Sequence, residues 1–94
     1  MIARVARFEA QPDRFTRGEY RWVLDTIKGC EGFVNAFHLV DDRTGDSISI
    51  SMFEREDAAT RAEKQVGAAR EQLEKQTSPP DELHVWRVID WAEG

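Results

Sequence analysis

The chain has 94 residues, of which 40% are hydrophobic and 33% charged. This length predicts a single domain over residues 1–94 with one core, and the composition lies outside the range of disordered chains. Its 18 acidic residues outnumber the 13 basic ones, which gives a net charge of −5. We therefore expect no nucleic-acid partner and no anionic membrane surface, because both require clustered Lys and Arg side chains.

The apolar runs and the cysteine content indicate the cellular compartment of the protein and the kinds of site it can hold. The longest apolar run is only a few residues, far short of the roughly 20 that cross a bilayer. The N-terminal segment also lacks the apolar stretch of a secretory signal, so we expect a cytoplasmic protein. Cys30 is the only cysteine, and neither histidine has a partner at ligand spacing. We therefore expect no disulfide, no metal and no cofactor.

The N-terminal part predicts a strand followed by a helix. Residues Ile2 to Glu9 alternate in the manner of a short strand. Thr16 and Glu19 have the spacing of a capping box, which predicts a helix over Arg17 to Lys28 that ends at a left-handed Gly29. The apolar positions of this helix recur at i, i+3, i+4 and i+7: Tyr20, Val23, Leu24 and Ile27.

The middle of the chain predicts a β-hairpin. Residues Val34 to Val40 are rich in β-formers, and Asp41 to Asp46 form a turn cluster with Gly45 available for positive φ. The second arm runs from Ser47 to Phe53. It alternates strictly, with Ile48, Ile50 and Met52 on one face and Ser47, Ser49 and Ser51 on the other.

The C-terminal part predicts a second helix and a fourth strand. Asp57 is placed to cap the helix, and Pro79 follows its end. The apolar stripe of the helix is Ala62, Val66, Ala69 and Leu73. The strand is predicted from Leu83 to Trp91, with Leu83, Val85, Ile89 and Trp91 on one face together with Arg87. The order βαββαβ predicts an α+β ferredoxin-like fold, with two helices on one face of a four-stranded antiparallel sheet.

Four segments carry a resemblance to a known family: Met1 to Phe8, Glu31 to Phe33, Leu39 to Gly45 and Ser49 to Asp57. In these segments the chain resembles the dimeric α/β-barrel superfamily and, within it, the antibiotic biosynthesis monooxygenase-like (ABM) domains. The resemblance implies a homodimer in which two sheets face each other as a barrel. It also implies a cavity in each subunit between the sheet and the helices.

The resemblance also implies a range of activities. Members include cofactor-free oxygenases of electron-rich aromatic compounds, haem-degrading enzymes and isomerases. The haem degraders hold iron with a histidine of the second helix, but no histidine lies between Ala58 and Lys75 here. Oxygenases and haem degraders commonly have a Trp at the end of the third strand, where this chain has Phe53.

Five residues are candidates for a ligand pocket: Arg4, Trp22, His38, Phe53 and Trp86. A histidine at strand position 38 suits a general base, or is a polar residue of an edge strand. A cation in a central strand holds either an anionic ligand group or an ion-pair partner. The aromatic residues form either a pocket wall or part of the core and dimer interface. The three serines show no catalytic triad, and we expect them to form a small polar lining of the barrel.

Two functions follow from these observations. The first is a cofactor-free monooxygenase, or a binder of a small aromatic or quinone-like metabolite. The alternative is a non-catalytic dimeric binding or stress-associated module, because no acid–base pair stands out in the sequence. A pocket filled by Trp86, Phe53 and Trp22 would favour the module, whereas an open cavity with convergent polar groups would favour the first function.

Overall fold

A computed structural model describes residues 1–9, 18–73, 75 and 79–92. The elements in chain order are β1 (Ile2–Phe8), α1 (Arg21–Ile27), β2 (Phe33–Val40), β3 (Ser47–Phe53), α2 (Glu56–Gln72) and β4 (Glu82–Arg87). The βαββαβ order is therefore confirmed.

The four strands form one antiparallel sheet in the order β2-β3-β1-β4. Helices α1 and α2 contact each other and pack on the sheet. Their buried side chains share one core cluster with β3. The ferredoxin-like α+β prediction is confirmed. No helix among the described residues is long and apolar enough to cross a membrane.

Helix α1 begins four residues later than the predicted Arg17. Gly18 has a φ of 74°, a left-handed conformation that a helix cannot continue through. Residues 18–20 form a turn instead, in which the Arg21 N–H donates to the Gly18 carbonyl at 3.1 Å. Thr16 of the predicted capping box lies outside the described residues. The left-handed glycine after this helix is Gly32, with a φ of 80°, and not Gly29.

The α2 cap also differs from the prediction. Helix α2 starts after Arg55, which has the extended conformation of an N-cap, so Asp57 lies in the first turn and does not cap the helix. Its carboxylate accepts hydrogen bonds from the guanidinium groups of Arg55 and Arg61. These two arginines also pair with Glu31, which ties the α1–β2 connection to the start of α2.

The strand bounds agree with the predictions to within one residue except in β4. Strand β3 has the predicted span, β2 begins one residue earlier, and β1 ends at Phe8. Strand β4 ends at Arg87, opposite Ile2 at the start of β1, and not at Trp91. The last bond of this ladder is donated by the Val88 N–H to the carbonyl of Met1. Ile89 and Trp91 therefore lie beyond the strand.

Strand register separates the sheet into a helix-covered face and an open face. Paired positions across the sheet share a face, so Ser51 lies beside Arg4, and Ser49 lies beside Ala6. These serines face the helices, so their predicted place inside a dimeric barrel is wrong. The open face carries three rows of side chains: Asn35, Met52, Ala3 and Trp86; Phe37, Ile50, Val5 and His84; Leu39, Ile48, Arg7 and Glu82.

The core lies between the sheet and the helices. Its buried members are Ile27, Cys30, Phe53, Ala58, Ala59 and Ala62. The rings of Phe33 and Phe53 meet edge to face with their centroids 6.0 Å apart. Small residues at the start of α2 let it approach the α1–β2 connection so closely that a Cβ on Gly32 would lie 2.6 Å from that of Ala58.

Candidate functional site

A cavity of about 190 Å³ lies between the helix-covered face of the sheet and both helices. It is lined, among the described residues, by Arg4, Ala6, Val23, Ile27, Ser49, Ser51, Phe53, Ala62, Glu63, Val66, Arg70, Pro80 and Leu83. The two central strands, β1 and β3, provide its floor. The cavity is therefore where the resemblance places the ligand site.

The floor of the cavity is polar because β1 and β3 present small or charged side chains there. Ser49 and Ser51 are short, which leaves space above the middle of the sheet. The Arg4 guanidinium extends across this space to the Glu63 carboxylate of α2, with Nη2 and Oε1 3.2 Å apart. The Arg4 side chain is only 22% exposed, whereas that of Glu63 is 61% exposed. A hydroxyl or anionic group of a ligand would therefore find several hydrogen-bonding partners on this floor.

The rest of the wall is apolar. Phe53 and Ala62 are buried at the inner end, while Val23 and Val66 are half-buried on the two helices. An apolar wall with a few convergent polar groups is the usual composition of a site for small organic ligands. The arrangement suits an aromatic ring that carries a polar substituent.

His38 lies next to the cavity on the same face of the sheet. It is half-buried, and it is in register with Ser49 across the β2–β3 ladder. Burial lowers the pKa of His38 below its ordinary value, and the nearby charge of Arg21 lowers it further. The imidazole is therefore neutral at neutral pH and can accept a proton.

The structure brings together only part of the predicted pocket. Arg4 and Phe53 line the cavity, and His38 lies beside it, opposite Ser49 of the neighbouring strand. Trp86 lies on the open face, 58% exposed, with its ring 5.7 Å from that of His84. Trp22 is half-buried on α1 and is not among the lining residues that the structure describes.

Sequence reasoning missed two charged residues of the cavity. Glu63 and Arg70 belong to α2, at i and i+7, with Val66 at i+3 between them. Both positions lie beside the apolar stripe that the sequence predicts. The same helical pattern could therefore have identified them as the polar border of that stripe. Only the packing of α2 on the sheet shows that this border faces the cavity.

Arg7, the second cation of β1, points to the open face and is held by carboxylates. Its guanidinium lies 2.8 Å from Asp46, 3.1 Å from Glu9 and 3.7 Å from Glu82. Two of these partners belong to neighbouring parts of the sheet. Arg7 therefore forms inter-strand ion pairs, one of the two roles expected for a cation in this strand.

The donor set of the cavity does not fit haem. Haem iron takes its axial ligand from His, Cys, Met or Tyr. None of the described lining residues is of these types, and α2 contains no histidine. Among the described residues, moreover, no group of three or more His, Cys, Asp or Glu side chains could hold a metal ion.

Comparison with known proteins places this architecture among solved structures. SnoaB, a cofactor-independent oxygenase from Streptomyces nogalater, is 20% identical, with a TM-score of 0.72 over 96% of this chain and 94% of SnoaB. MhuD, a heme-degrader from Mycobacterium tuberculosis, is 11% identical, with a TM-score of 0.69 over 99% of this chain and 100% of MhuD. A proposed antibiotic biosynthesis monooxygenase from Chloroflexus aurantiacus is 13% identical, with a TM-score of 0.67 over 99% of this chain and 96% of that protein.

No family model matches the chain, and no curated protein matches it. The likeness to solved structures is full-length but low in identity, so what it establishes is the fold. The ferredoxin-like α+β fold expected from the sequence is therefore shared with these proteins.

Proposed function

We propose, from its ABM-like fold and its cavity, that this protein binds a small phenolic or hydroquinone-like aromatic metabolite and oxygenates it without a cofactor. The observation that carries this proposal is the open cavity, in which polar groups of β1, β3 and α2 converge beside an apolar wall. The oxygenase activity of SnoaB, which has the same fold, supports the choice of reaction.

The cavity size limits the substrate class. Its volume of about 190 Å³ is below the roughly 300–1,000 Å³ of sites for drug-sized ligands. A flat metabolite of no more than three fused rings is therefore the expected ligand. The ring lies against Phe53, and its hydroxyl group points to the floor of the cavity.

The residues supply binding and proton transfer. The Arg4 guanidinium and the Ser49 and Ser51 hydroxyls stabilise the anion that forms when the substrate loses a proton. The neutral His38 accepts that proton beside the cavity. The electron-rich anion then reduces dioxygen. In an anthrone-type substrate the CH₂ group becomes a carbonyl, with one oxygen atom entering the product and the other leaving as water.

Oxygen uptake tests the reaction. Purified protein is supplied with a panel of hydroquinones and anthrone-type compounds in labelled dioxygen, and products are identified by mass spectrometry. The proposal expects catalysed uptake above the spontaneous rate, and one labelled oxygen atom in each anthraquinone-type product. A panel without binding or turnover would contradict it.

The non-catalytic module is less well supported by the cavity. A module of that kind was expected to have its pocket filled by Trp86, Phe53 and Trp22. Of these, only Phe53 lines the cavity, and the floor remains open and polar. Binding of an aromatic metabolite without any oxygen uptake would nevertheless favour the module.

We also propose that the protein is a cytoplasmic homodimer that pairs through the open face of the sheet. This face exposes large apolar side chains, with Phe37 at 39%, Leu39 at 46% and Trp86 at 58%. Contiguous apolar surface of this kind typically marks a protein interface. A second copy would cover it, and the lone Cys30 thiol is suited to a reducing compartment.

A further inference from the structure

The charges that line the cavity are not balanced. Arg4 and Glu63 form an ion pair at 3.2 Å and largely compensate each other. Arg70, the remaining charged residue of the described lining, makes no ion pair that involves the described part of the chain. The described part of the cavity lining therefore carries a net positive charge, although the whole protein has a net charge of −5.

Arg70 is placed at the mouth of the cavity. It lies two helical turns after Glu63 on the same side of α2, about 10 Å further along the helix axis. It is exposed, whereas the neighbouring Val66 and Pro80 are half-buried. The lining residues Val66, Pro80 and Leu83 are apolar.

A guanidinium in this position recognises a specific chemical group. Its planar fork of N–H donors matches a carboxylate, which it can bind through two parallel hydrogen bonds. The paired Arg4 and the serines, in contrast, suit a hydroxyl on the floor of the cavity. On α2, the apolar Val66 lies between Glu63, the partner of Arg4, and Arg70, so it separates the two polar regions.

We infer that the natural ligand is an aromatic acid, with its carboxylate bound by Arg70 at the mouth and its hydroxyl directed toward Arg4. This inference rests on the proposed function, because it names the substrate class of the same cavity. It makes Arg70 the residue that sets specificity for acids over neutral phenols.

A matched pair of probes tests the inference. Binding of 2-naphthol and of 6-hydroxy-2-naphthoic acid, whose carboxylate lies at the opposite end of the ring system from its hydroxyl, is measured by titration calorimetry, anaerobically and at low salt. The acid is expected to bind wild type at least about tenfold more tightly than naphthol does, because a charge-assisted pair adds this much affinity. Added salt should reduce the difference.

Two variants locate the effect. Arg70→Gln should reduce the preference for the acid to about twofold or less while leaving naphthol affinity unchanged. Arg43→Gln, a matched loss of an arginine charge on the exposed hairpin, should keep the full preference. Circular dichroism and urea unfolding confirm that both variants are folded.

The outcomes separate the two proposals. If naphthol binds but the acid gains nothing, or if Arg70→Gln keeps the preference, this inference is wrong and the proposed function stands. If neither probe binds, the proposed ligand class fails and the inference fails with it.

Discussion

In the proposed function, recognition of the substrate hydroxyl depends on Arg4. Most of its side chain is covered, with 22% exposed, yet its guanidinium reaches the cavity. Its partner Glu63 extends toward solvent, and pairs of this kind contribute little to stability. Binding and folding can therefore be separated at this position.

Arg4→Gln should weaken naphthol binding by about tenfold or more, the usual effect of losing a charge-assisted hydrogen bond. The free energy of unfolding should fall by less than about 1 kcal/mol, because Glu63 is left in contact with water. Calorimetric titration and urea unfolding measure the two effects. Arg43→Gln is the control, and equal affinity in the two variants would remove Arg4 from the site.

His38 gives stability a defined pH dependence. Burial, and then the charge of Arg21, lower its folded pKa below the ordinary 6.5. The unfolded chain therefore binds the proton more readily, so stability is complete above about pH 6.5 and is lost as the pH falls toward the folded pKa. The lowered pKa values of the exposed Asp25 and Asp57 belong to a more acidic range.

His38→Gln should consequently reduce the loss of stability between about pH 7.5 and about pH 5. Urea midpoints at the two pH values measure this loss. Lys64→Gln, which changes one exposed side chain of α2 outside the proposed interface, is the control and should follow wild type. An unchanged pH dependence in His38→Gln would show that the burial of this imidazole has no energetic effect.

The connection between α1 and β2 depends on Gly32 at the scale of elements. Its φ of 80° is left-handed, and an added Cβ would overlap the Cβ of Ala58 on α2. The backbone carbonyl of Gly32 also accepts a hydrogen bond from the Glu54 N–H at 2.8 Å. The left-handed φ and the close approach of α2 therefore require glycine here, whereas the backbone bond ties this connection to the residue that follows β3.

Gly32→Ala should destabilise the protein by at least about 2 kcal/mol, since the left-handed conformation and the overlap both oppose a side chain. Gly67→Ala is the matched control. Gly67 lies within α2 and an added Cβ would meet nothing within 4 Å, so this change should stabilise by up to about 1 kcal/mol. Urea unfolding compares the two, and equal effects would contradict the close approach at Gly32.

Local patterns predicted the elements wherever the determinants were local. Strict alternation and Gly45 predicted β3 to the residue, because these features act within the segment itself. The start of α1 could not be predicted in the same way, since Gly18 adopts a left-handed turn inside an apparently continuous helical pattern. The end of β4 is set by its pairing with the start of the antiparallel neighbour β1, which is a tertiary property.

The site was predictable only in part for the same reason. A cation in a central strand marked Arg4 as unusual, and in the structure Arg4 lines the cavity. Alternation already separated Trp86 from Leu83 and Val85, which is consistent with its position on the opposite face. Whether Arg70 lines the cavity depends on the rotation of α2 about its own axis on the sheet. This angle cannot be derived from a local sequence pattern.

The proposed pairing through the open face involves the whole molecule. Phe37, Ile50 and Val5 form the central row of this face, so a charge there would have to be buried in the proposed interface. Phe37→Asp should therefore convert the dimer to a monomer. Lys64→Glu, on the exposed surface of α2, should leave the dimer intact.

Light scattering after size-exclusion chromatography measures the subunit number of both variants and of wild type. A monomeric wild-type protein, or a dimeric Phe37→Asp variant, would contradict pairing through this face. Cavity binding is a separate property, because the cavity opens on the other side of the sheet.

The proposed function requires that a small aromatic ligand binds in the cavity between the sheet and the helices. Amide chemical-shift mapping during a titration with naphthol tests it most directly, since it reports the position of the ligand without requiring turnover. The largest shifts are expected at the amides of Arg4, Ser49, Ser51, Ala62 and Val66. Shifts confined to the open face around Phe37 and Trp86, or no saturable shifts at all, would contradict it.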